Sequence, residues 1–439
     1  MALYQSLVKA DSSRRGAGVG LVFYPMTSAN APARPIWARV SLVQWMLIAV
    51  VVGIPLGFLA PEFSASIKVI SDVFLRLIRA IIAPVLFGVL VRAVGAGGSL
   101  KDLGRLGWKS LVCFEVSTTL ALLIGWGTAV VMRPGVGVEM AGAAAGTAQT
   151  FSFSNVVLNA VPTSIIDAMA RGDVLQMVVF CTLFGVACLL AGEKAKPMLA
   201  FADSLAEVAF KFTHLIMYLA PLAVLAAMAS TVASGGMNVL VGLFQLFLAS
   251  WLALLGFMIV VLGGALVLFR VPVRRFVHFM REPFLVAFAT TSSAAALPQT
   301  LESIEAFGVP RRVIGVVAPL SISMNLTGST LFIGLATVFV AQAAGVTLSL
   351  EQQLFMLLTL KITTKGVAGI PRANFVVLAA LFQSFGLPLE GLAILLGIDA
   401  LIDPIRTSVN VIGHGVAPAV VARWEGAEFP SAVPVGDGR

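Results

Sequence analysis

Polar side chains recur at helical spacing along an apolar stretch near the C-terminus. The five residues are Asp399, Asp403, Arg406, Asn410 and His414, and steps of four, three, four and four separate them. At 100° per residue these steps place all five side chains within about 80° of arc on one helix face. The surrounding run, residues 391–422, is long enough to cross a bilayer as a helix. Two carboxylates and a guanidinium are costly at membrane depth, so this polar stripe predicts a functional site.

The composition places the stripe in a membrane protein. Hydrophobic residues make up 59% of the 439-residue chain and charged residues only 11%, and the mean hydropathy is +0.99. Such a chain is too apolar for a water-soluble globular fold. Its apolar runs are long and continuous rather than short and alternating, which favours helices over a β-barrel. We therefore expect an all-α integral membrane protein.

Cysteine and histidine usage argues against an enzyme or a metalloprotein. Cys113, Cys181 and Cys188 all lie in apolar runs, so free thiols are expected rather than disulfides. With only three histidines, no nucleophile with a base and an orienting partner emerges, and no cluster of metal ligands does. We expect no catalytic residue, no metal site and no cofactor.

The distribution of the basic residues behind the net charge of +8 indicates membrane topology rather than a nucleic-acid partner. The basic residues lie in short loops between apolar spans, whereas a nucleic-acid-binding surface would gather them in one patch. Loops around Glu62, Ser234, Gly345 and Glu390 contain almost no Lys or Arg. The positive-inside rule therefore predicts a multi-pass protein of the cell (inner) membrane with both termini in the cytoplasm.

Two polar tails flank the apolar part of the chain. Residues 1–40 lack a signal-peptide pattern and are expected to form a disordered cytoplasmic tail. Met26 is an alternative start to Met1. Residues 426–439 are expected to form a C-terminal tail.

The first half of the chain contains six continuous apolar spans, and the second half changes character. The spans are predicted at residues 41–60, 67–94, 110–132, 174–191, 210–231 and 239–269. Between residues 282 and 311 the apolar runs are too short to cross a bilayer, and Thr-Thr-Ser-Ser at residues 290–293 divides them. A short helix, a polar turn and a second short helix predict a re-entrant hairpin that enters from the cytoplasm.

Two later segments are interrupted in a similar way. Asn-Leu-Thr-Gly-Ser at residues 325–329 breaks the span at residues 313–343. A further segment, residues 353–386, carries Lys-Gly-Val-Ala-Gly-Ile-Pro at residues 365–371 and lacks basic flanks, which predicts a hairpin that enters from outside. Two hairpins of opposite orientation, each followed by a helix with a polar break or stripe, indicate an inverted repeat around a midplane site.

These segments resemble the motifs of the dicarboxylate/amino acid:cation symporter family, which includes glutamate transporters and archaeal aspartate transporters. Residues 292–298 resemble the family's serine-rich first-hairpin motif, and residues 325–329 resemble its Asn-Met-Asp-Gly-Thr. Residues 366–371 are similar to the tip of its second hairpin, and residues 397–410 to its last-helix motif. The resemblance covers residues 41–425, with the four motifs in the family's order.

The resemblance implies a glutamate-transporter-like fold of eight transmembrane helices and two re-entrant hairpins, built from inverted repeats and assembled as a homotrimer. Residues 41–425 would form the transporter domain. A scaffold would comprise mainly residues 41–94 and 174–231. A transport region that moves like an elevator would comprise mainly residues 110–132 and 239–422.

The resemblance also implies substrate-binding roles. Asp403 would receive the substrate's amino group, and Arg406 would pair with its side-chain carboxylate, which suits the rigid fork of a guanidinium. The other positions implied for substrate binding are Ser292, Ser293, Ser329, Gly369, Thr407 and Asn410. From the residues alone, the alternative is an internal Asp403–Arg406 salt bridge, because the spacing permits one.

Departures from the family pattern concern the coupling ion. Sodium-coupled members carry aspartates where this chain has Thr327 and His414, and sodium prefers hard oxygen ligands. Lys365 adds a cation at the tip of the second hairpin, as in the bacterial proton-coupled branch. Protons are therefore favoured, with Na⁺ the alternative. The positions implicated in cation or proton coupling are Asn325, Thr327, Asp399, His414, Glu115 and Lys365.

Individual roles at these positions stay open. His414, Asp399 and Glu115 are candidate proton carriers, and the alternative for His414 is a hydrogen-bonded packing residue. Arg372 stands where some members keep a glycine. It either brings positive charge to the site and changes substrate selectivity, or reaches the extracellular interface.

The leading hypothesis is secondary active import of glutamate or aspartate together with protons. Alternatives are a C4-dicarboxylate or a neutral amino acid as substrate, sodium coupling, and an anion-conducting channel of the same fold. Asp403 argues against a plain dicarboxylate, and Arg406 against a neutral substrate. The expected partners are the small anionic substrate, the lipid bilayer and further copies of this chain, with no nucleic acid.

Overall fold

Regular secondary structure in the described part of the chain is entirely helical. The computed structural model describes residues 42–95, 100–138, 161–171, 174–364 and 373–430. All of them belong to one compact unit, Leu42–Arg439. The N-terminal tail of residues 1–40 lies outside the described residues, and so does the predicted tip of the second hairpin with Lys365, Gly369 and Arg372.

The described residues of the first half form mostly long helices, with two short ones among them. In chain order they are α1 (Leu42–Leu59), α2 (Pro61–Ser66), α3 (Lys68–Gly95), α4 (Leu100–Met132), α5 (Ile165–Arg171), α6 (Val174–Ala191), α7 (Lys196–Met217) and α8 (Ala220–Gly256). Helix α4 has a non-helical residue at Gly104, and α8 has one at Gly236. The break at Gly236, with φ of 58°, lies where the sequence predicts a loop near Ser234.

The second half consists of shorter, paired helices and one long terminal helix. A π-helical turn at Phe257–Leu262 leads into α9 (Gly263–Leu268), which is followed by α10 (Val273–Thr290), α11 (Ser293–Phe307), α12 (Arg311–Met324), α13 (Thr327–Ala343), α14 (Leu350–Thr363), α15 (Ala373–Ser384) and α16 (Glu390–Trp424). Helices α10 and α11 pack on each other as a helical hairpin. The turn between them and the break between α12 and α13 both lie where the sequence predicts them.

One predicted span is wrong. The sequence suggests a single span at residues 210–231, but α7 already begins at Lys196 and ends at Met217, and α8 begins at Ala220. Pro221 lies in the first turn of α8. Proline fits there because its missing N–H would have no partner, but in a helix interior it removes a hydrogen bond. The boundary therefore falls inside the predicted span.

Four helical stretches of the described residues are long and apolar enough to cross a membrane by length and composition. They are Pro61–Arg92, Gly104–Met132, Ala220–Leu268 and Arg311–Ala343.

Helix α16 lies at the centre of one group of helices. It packs against α8, α10, α11, α12 and α13, while α13 also packs along α4. Elsewhere, α3 packs on α6 and α7, and α1 packs on α8. This arrangement buries the whole polar stripe of α16.

Two glycines permit the close approach of α13 to its neighbours. A Cβ atom on Gly125 of α4 would lie 2.0 Å from the carbonyl oxygen of Leu331, and one on Gly328 would lie 2.3 Å from that of Arg406. No side chain fits such gaps, so α13 lies directly against the backbones of α4 and α16.

Candidate functional site

Arg406 forms the centre of a buried charge cluster on α16. Its Nη1 donates to Asp399 Oδ1 over 2.6 Å, and its Nη2 donates to Asp403 Oδ1 over the same distance. Thr407 Oγ1 also donates to Asp403 Oδ1, over 3.1 Å. The guanidinium lies over the ring of Phe332, 4.7 Å from its centroid. The internal salt bridge considered from the spacing is therefore present, and it includes a second carboxylate.

The burial of this cluster is nearly complete. The exposed fractions of Asp399 and Arg406 are 0% and 2%, and that of Asp403 is 8%. Charged side chains are almost never buried to this degree unless they are paired. Replacing such a cluster with apolar residues would often cost a protein nothing in stability, so its presence points to a role other than folding.

Asn410 links the stripe to the break between α12 and α13. Its Oδ1 accepts hydrogen bonds from the backbone N–H groups of Gly328 and Ser329, over 2.9 and 3.2 Å. Its Nδ2 donates to Ser329 Oγ over 3.1 Å. The amide thus occupies the N-terminus of α13, where helix N–H groups otherwise have no partner. Ser329 and Asn410, both predicted substrate ligands, are brought together directly.

Asn325 joins three helices at the other side of the same break. Its Oδ1 accepts a hydrogen bond from Ser117 Oγ of α4 over 2.8 Å, and its Nδ2 donates to the Gly413 carbonyl oxygen over 3.1 Å. Ser321 Oγ lies 3.3 Å from His414 Nδ1. The polar break predicted from the sequence is therefore held by side chains from α4, α12 and α16.

Two buried polar atoms near this junction lack a hydrogen-bond partner among the described residues. They are Thr327 Oγ1 and His414 Nε2. Thr327 Oγ1 lies beside Gly413, because a Cβ added there would be 3.0 Å from it. Buried polar atoms are usually paired, so an unpaired one indicates a place for water, a proton or a ligand.

A sodium ion does not fit the residues at this junction well. The nearby oxygens of Ser117, Asn325 and Thr327 are uncharged, and His414 offers a nitrogen. Sodium, a hard cation, prefers oxygens with compensating negative charge. Within the described ranges no group of three or more His, Cys, Asp or Glu side chains could hold a metal ion.

Glu115, a predicted coupling residue, lies apart from the stripe in an ion pair. Its Oε2 is 3.1 Å from Lys361 Nζ of α14, and the carboxylate side chain is 47% exposed. The sequence predicts no role for Lys361, and no local spacing indicates that the two charges meet, because their contact depends on how α14 packs on α4.

The serines of the first hairpin occupy the turn between α10 and α11. Thr291 adopts a left-handed conformation, with φ of 50°. Ser292 is the N-cap of α11 and accepts a hydrogen bond from the N–H of Ala295 over 3.2 Å. Ser293 is half-buried. Among the described residues, no hydrogen bond joins Ser292 or Ser293 to the Arg406 cluster.

Comparison with known proteins decides the family. Residues 42–424 match the model of the sodium:dicarboxylate symporter family. The chain belongs to this family. Its members are membrane symporters, so the chain is a transport protein of a membrane and not an enzyme.

Named relatives of the symporter family align along most of the chain. The chain is 38% identical over 390 residues to a proton/glutamate-aspartate symporter of Bacillus subtilis (strain 168), covering 87% of this chain and 94% of the relative. It is 36% identical over 401 residues to a proton/sodium-glutamate symport protein of Bacillus caldotenax, covering 88% and 95%. It is also 36% identical over 398 residues to a C4-dicarboxylate transport protein of Solibacter usitatus (strain Ellin6076), covering 88% and 93%.

Sequence reasoning about this symporter missed two polar residues. Asn374, at the start of α15, places its Nδ2 3.5 Å from Ser329 Oγ. Lys361 lies on α14. Asn374 lies within the predicted interrupted segment of residues 353–386, three positions beyond Pro371, and no helical spacing connects it with the stripe.

Proposed function

We propose that this symporter imports an acidic amino acid, glutamate or aspartate, together with protons. The observation that carries the proposal is the buried Arg406, flanked on its own helix by Asp399 and Asp403. A guanidinium binds a carboxylate through two parallel hydrogen bonds, which discriminates strongly for planar anions. Relatives named as glutamate-aspartate symporters support this substrate class.

Substrate binding involves an exchange of carboxylates on Arg406. Without substrate, the guanidinium pairs with Asp399 and Asp403, which compensate its charge. The substrate's side-chain carboxylate takes the place of Asp403 on Arg406. Asp403, released from that bond, accepts the substrate's ammonium group, while Asp399 keeps Arg406 in position.

The rest of the substrate is held by polar groups around the break in α12 and α13. Thr407 and Asn410 face this region from α16, and Ser329 lies at the start of α13. Ser292, Ser293 and Gly369 from the two hairpins complete the proposed site. The N-termini of short helices favour the substrate's main-chain carboxylate.

His414 is the proposed proton carrier. Asp399 and Glu115, the other candidates, already have cationic partners in Arg406 and Lys361. His414 Nε2 is buried without a hydrogen-bond partner in the described chain, so a proton there changes the charge of the core beside Asn325 and Thr327.

Lys365, which carries a fixed charge, would disfavour a sodium ion, and Arg372 would modify substrate selectivity.

The proposed architecture follows the family. It comprises eight transmembrane helices and two re-entrant hairpins with cytoplasmic termini, assembled as a homotrimer. The packing of α3 on α6 and α7, and of α4 on α13 with α16, supports a division into a scaffold of residues 41–94 and 174–231 and a transport region of residues 110–132 and 239–422. Alternating access would occur by an elevator movement of the transport region.

A C4-dicarboxylate is the second candidate substrate. Asp403 already accepts hydrogen bonds from Arg406 and Thr407, so it does not need a substrate ammonium as a partner. A relative named as a C4-dicarboxylate transport protein agrees with this alternative. The two candidates differ in whether the amino group contributes to affinity.

Uptake into proteoliposomes tests the proposal. Radiolabelled aspartate, glutamate and succinate are offered under an imposed proton gradient without sodium, and separately under a sodium gradient. We expect aspartate or glutamate to accumulate under the proton gradient. Succinate preference would overturn the assignment of Asp403, and strict sodium dependence would overturn the assignment of His414.

A further inference from the structure

A separate ion pair, between a largely buried lysine and a half-exposed glutamate, joins α4 and α14. Lys361 Nζ is 3.1 Å from Glu115 Oε2, and the lysine side chain is only 16% exposed. Neither residue belongs to the proposed substrate site. An ammonium ion held to this degree out of solvent needs oxygen partners to replace its hydration.

The oxygens of α4 provide those partners. Lys361 Nζ donates to the Glu115 carbonyl oxygen over 2.8 Å, and to Thr118 Oγ1 and Thr119 Oγ1 over 2.6 Å each. Together with Glu115 Oε2, four oxygens surround the nitrogen. We call these four oxygens the α4 oxygen site.

The two threonine hydroxyls are oriented to accept rather than to donate. Thr118 Oγ1 donates its own hydrogen to the Phe114 carbonyl oxygen over 2.7 Å, and Thr119 Oγ1 donates to the Glu115 carbonyl oxygen over 2.6 Å. Their lone pairs therefore face the lysine. Hydroxyl, carbonyl and carboxylate oxygens converging on one point are the ligands that a hard monovalent cation uses.

A second hydrogen bond fixes the register of the two helices. Trp126 Nε1 of α4 donates to Gln353 Oε1 of α14 over 2.8 Å. Gln353 precedes Lys361 by eight residues, and Trp126 follows Thr118 by eight. Helix α14 therefore lies antiparallel along α4, joined to it at two levels about 12 Å apart.

We propose that α4 carries a site for a monovalent cation and that the ammonium of Lys361 is its covalently tethered occupant. The Lys361 side chain joins α14, the first arm of the second hairpin, to α4. Its ammonium fills the α4 oxygen site, so that no ion from solution binds there. Removing the ammonium opens the site to a small free cation, such as methylammonium or Na⁺. Any effect of this occupancy on transport rests on the proposed function, but the cation binding itself does not.

Thermal unfolding of the purified, substrate-free Lys361→Ala variant tests the proposal. We expect Tm to fall by about 2–4 °C relative to the unsubstituted protein. Methylammonium or sodium chloride should restore at least half of that loss in a saturable manner, compared with choline chloride at equal ionic strength. The unsubstituted protein should show no such response. Lys211→Ala, which removes an exposed lysine of α7, is the matched control and should leave Tm unchanged.

Two results would overturn the proposal. One is an unchanged Tm in Lys361→Ala, and the other is a loss of Tm that neither cation restores. Because the measurement needs no substrate, an error in the proposed transport function would leave its result unaffected.

A second set of variants covers the case in which Lys361→Ala does not fold. Lys361→Met keeps most of the aliphatic stem, and Thr118→Val with Thr119→Val removes two of the four oxygens. If the ammonium occupies the site, combining the three substitutions should lower Tm no further than Lys361→Met alone. Additive losses would show that lysine and threonines act independently.

Discussion

Arg406 and Asp399 lie two turns apart on α16, and the guanidinium Nη1 donates to Asp399 Oδ1 over 2.6 Å in a fully buried setting. Asp403, one turn from Arg406, binds the other side of the same guanidinium. One cation is therefore shared between two carboxylates. In the proposed exchange, Asp399 keeps Arg406 in position, and Asp403 leaves Arg406 to accept the substrate's ammonium group.

Asp399→Asn removes the positioning carboxylate and leaves Arg406 with Asp403 alone. Breaking one side of a buried ion pair costs about 3–5 kcal/mol, so we expect a marked fall in Tm of the purified protein. Saturating aspartate should raise Tm more in this variant than in the unsubstituted protein, because a substrate carboxylate supplies the missing charge. An aspartate response no larger than that of the unsubstituted protein would contradict the shared-cation arrangement.

The sequence predicts this cluster better than it predicts the helix boundaries. Five polar residues in helical phase are sufficient to place one buried face on α16, and Asn325 and Gly328 are sufficient to indicate a broken helix. The boundary between α7 and α8 is not visible in the hydropathy pattern, because residues 210–231 are mostly apolar in spite of Lys211 and His214. Hydropathy does not show that Pro221 lies at the start of a new helix. The pairing of Lys361 with Glu115 depends on tertiary register, which no local pattern contains.

Gly125→Ala tests the close packing of α4 on α13. The added Cβ would lie 2.0 Å from the Leu331 carbonyl oxygen, so the helices must separate. Overpacking of this kind costs about 1–3 kcal/mol. We expect a lower Tm and a lower yield of folded protein.

Gly127→Ala, two residues along α4, is the matched control for this substitution. Its added Cβ would meet no atom within 4 Å. Alanine is the better helix former, so Tm should be unchanged or slightly higher. Equal losses in both variants would mean that α4 and α13 do not pack through Gly125.

Asn410→Ala removes the acceptor for two N–H groups at the start of α13. Leaving buried donors without a partner costs about 1–3 kcal/mol, which should appear as a lower Tm in detergent. Ser408→Ala, on the same helix, removes a hydroxyl that donates to the carbonyl oxygens of Phe284 and Pro404. Those carbonyls tolerate the loss better, so Ser408→Ala should be the milder change. The reverse order would argue against Asn410 as the cap of α13.

Glu425 provides a pH-dependent contact just beyond the end of α16. Hydrogen bonds from Lys109 and Arg105, each of 2.6 Å, hold the pKa of the Glu425 carboxyl below its ordinary value. The pKa of this carboxyl is lower in the folded protein than in the unfolded chain. The contact therefore stabilises the folded protein fully at pH values above the pKa of the unfolded chain, and this stabilisation is lost as pH falls through the pKa of the folded protein. Glu425→Gln should therefore lower Tm at pH 7, and the difference should begin to shrink as pH falls below about 4.3 and disappear only below the depressed pKa of the folded protein. A difference independent of pH would mean that the carboxylate charge is not involved.

The most direct test of the central claim is uptake of radiolabelled aspartate into sodium-free proteoliposomes under an imposed proton gradient, with and without Arg406→Ala. A buried guanidinium that pairs with the substrate carboxylate predicts accumulation by the unsubstituted protein and a loss of at least about tenfold in the variant, since charged hydrogen bonds contribute about 1.5–3 kcal/mol. The Lys211→Ala variant should transport normally. Undiminished uptake by a correctly folded Arg406→Ala variant would contradict the assignment of Arg406 as the carboxylate receptor.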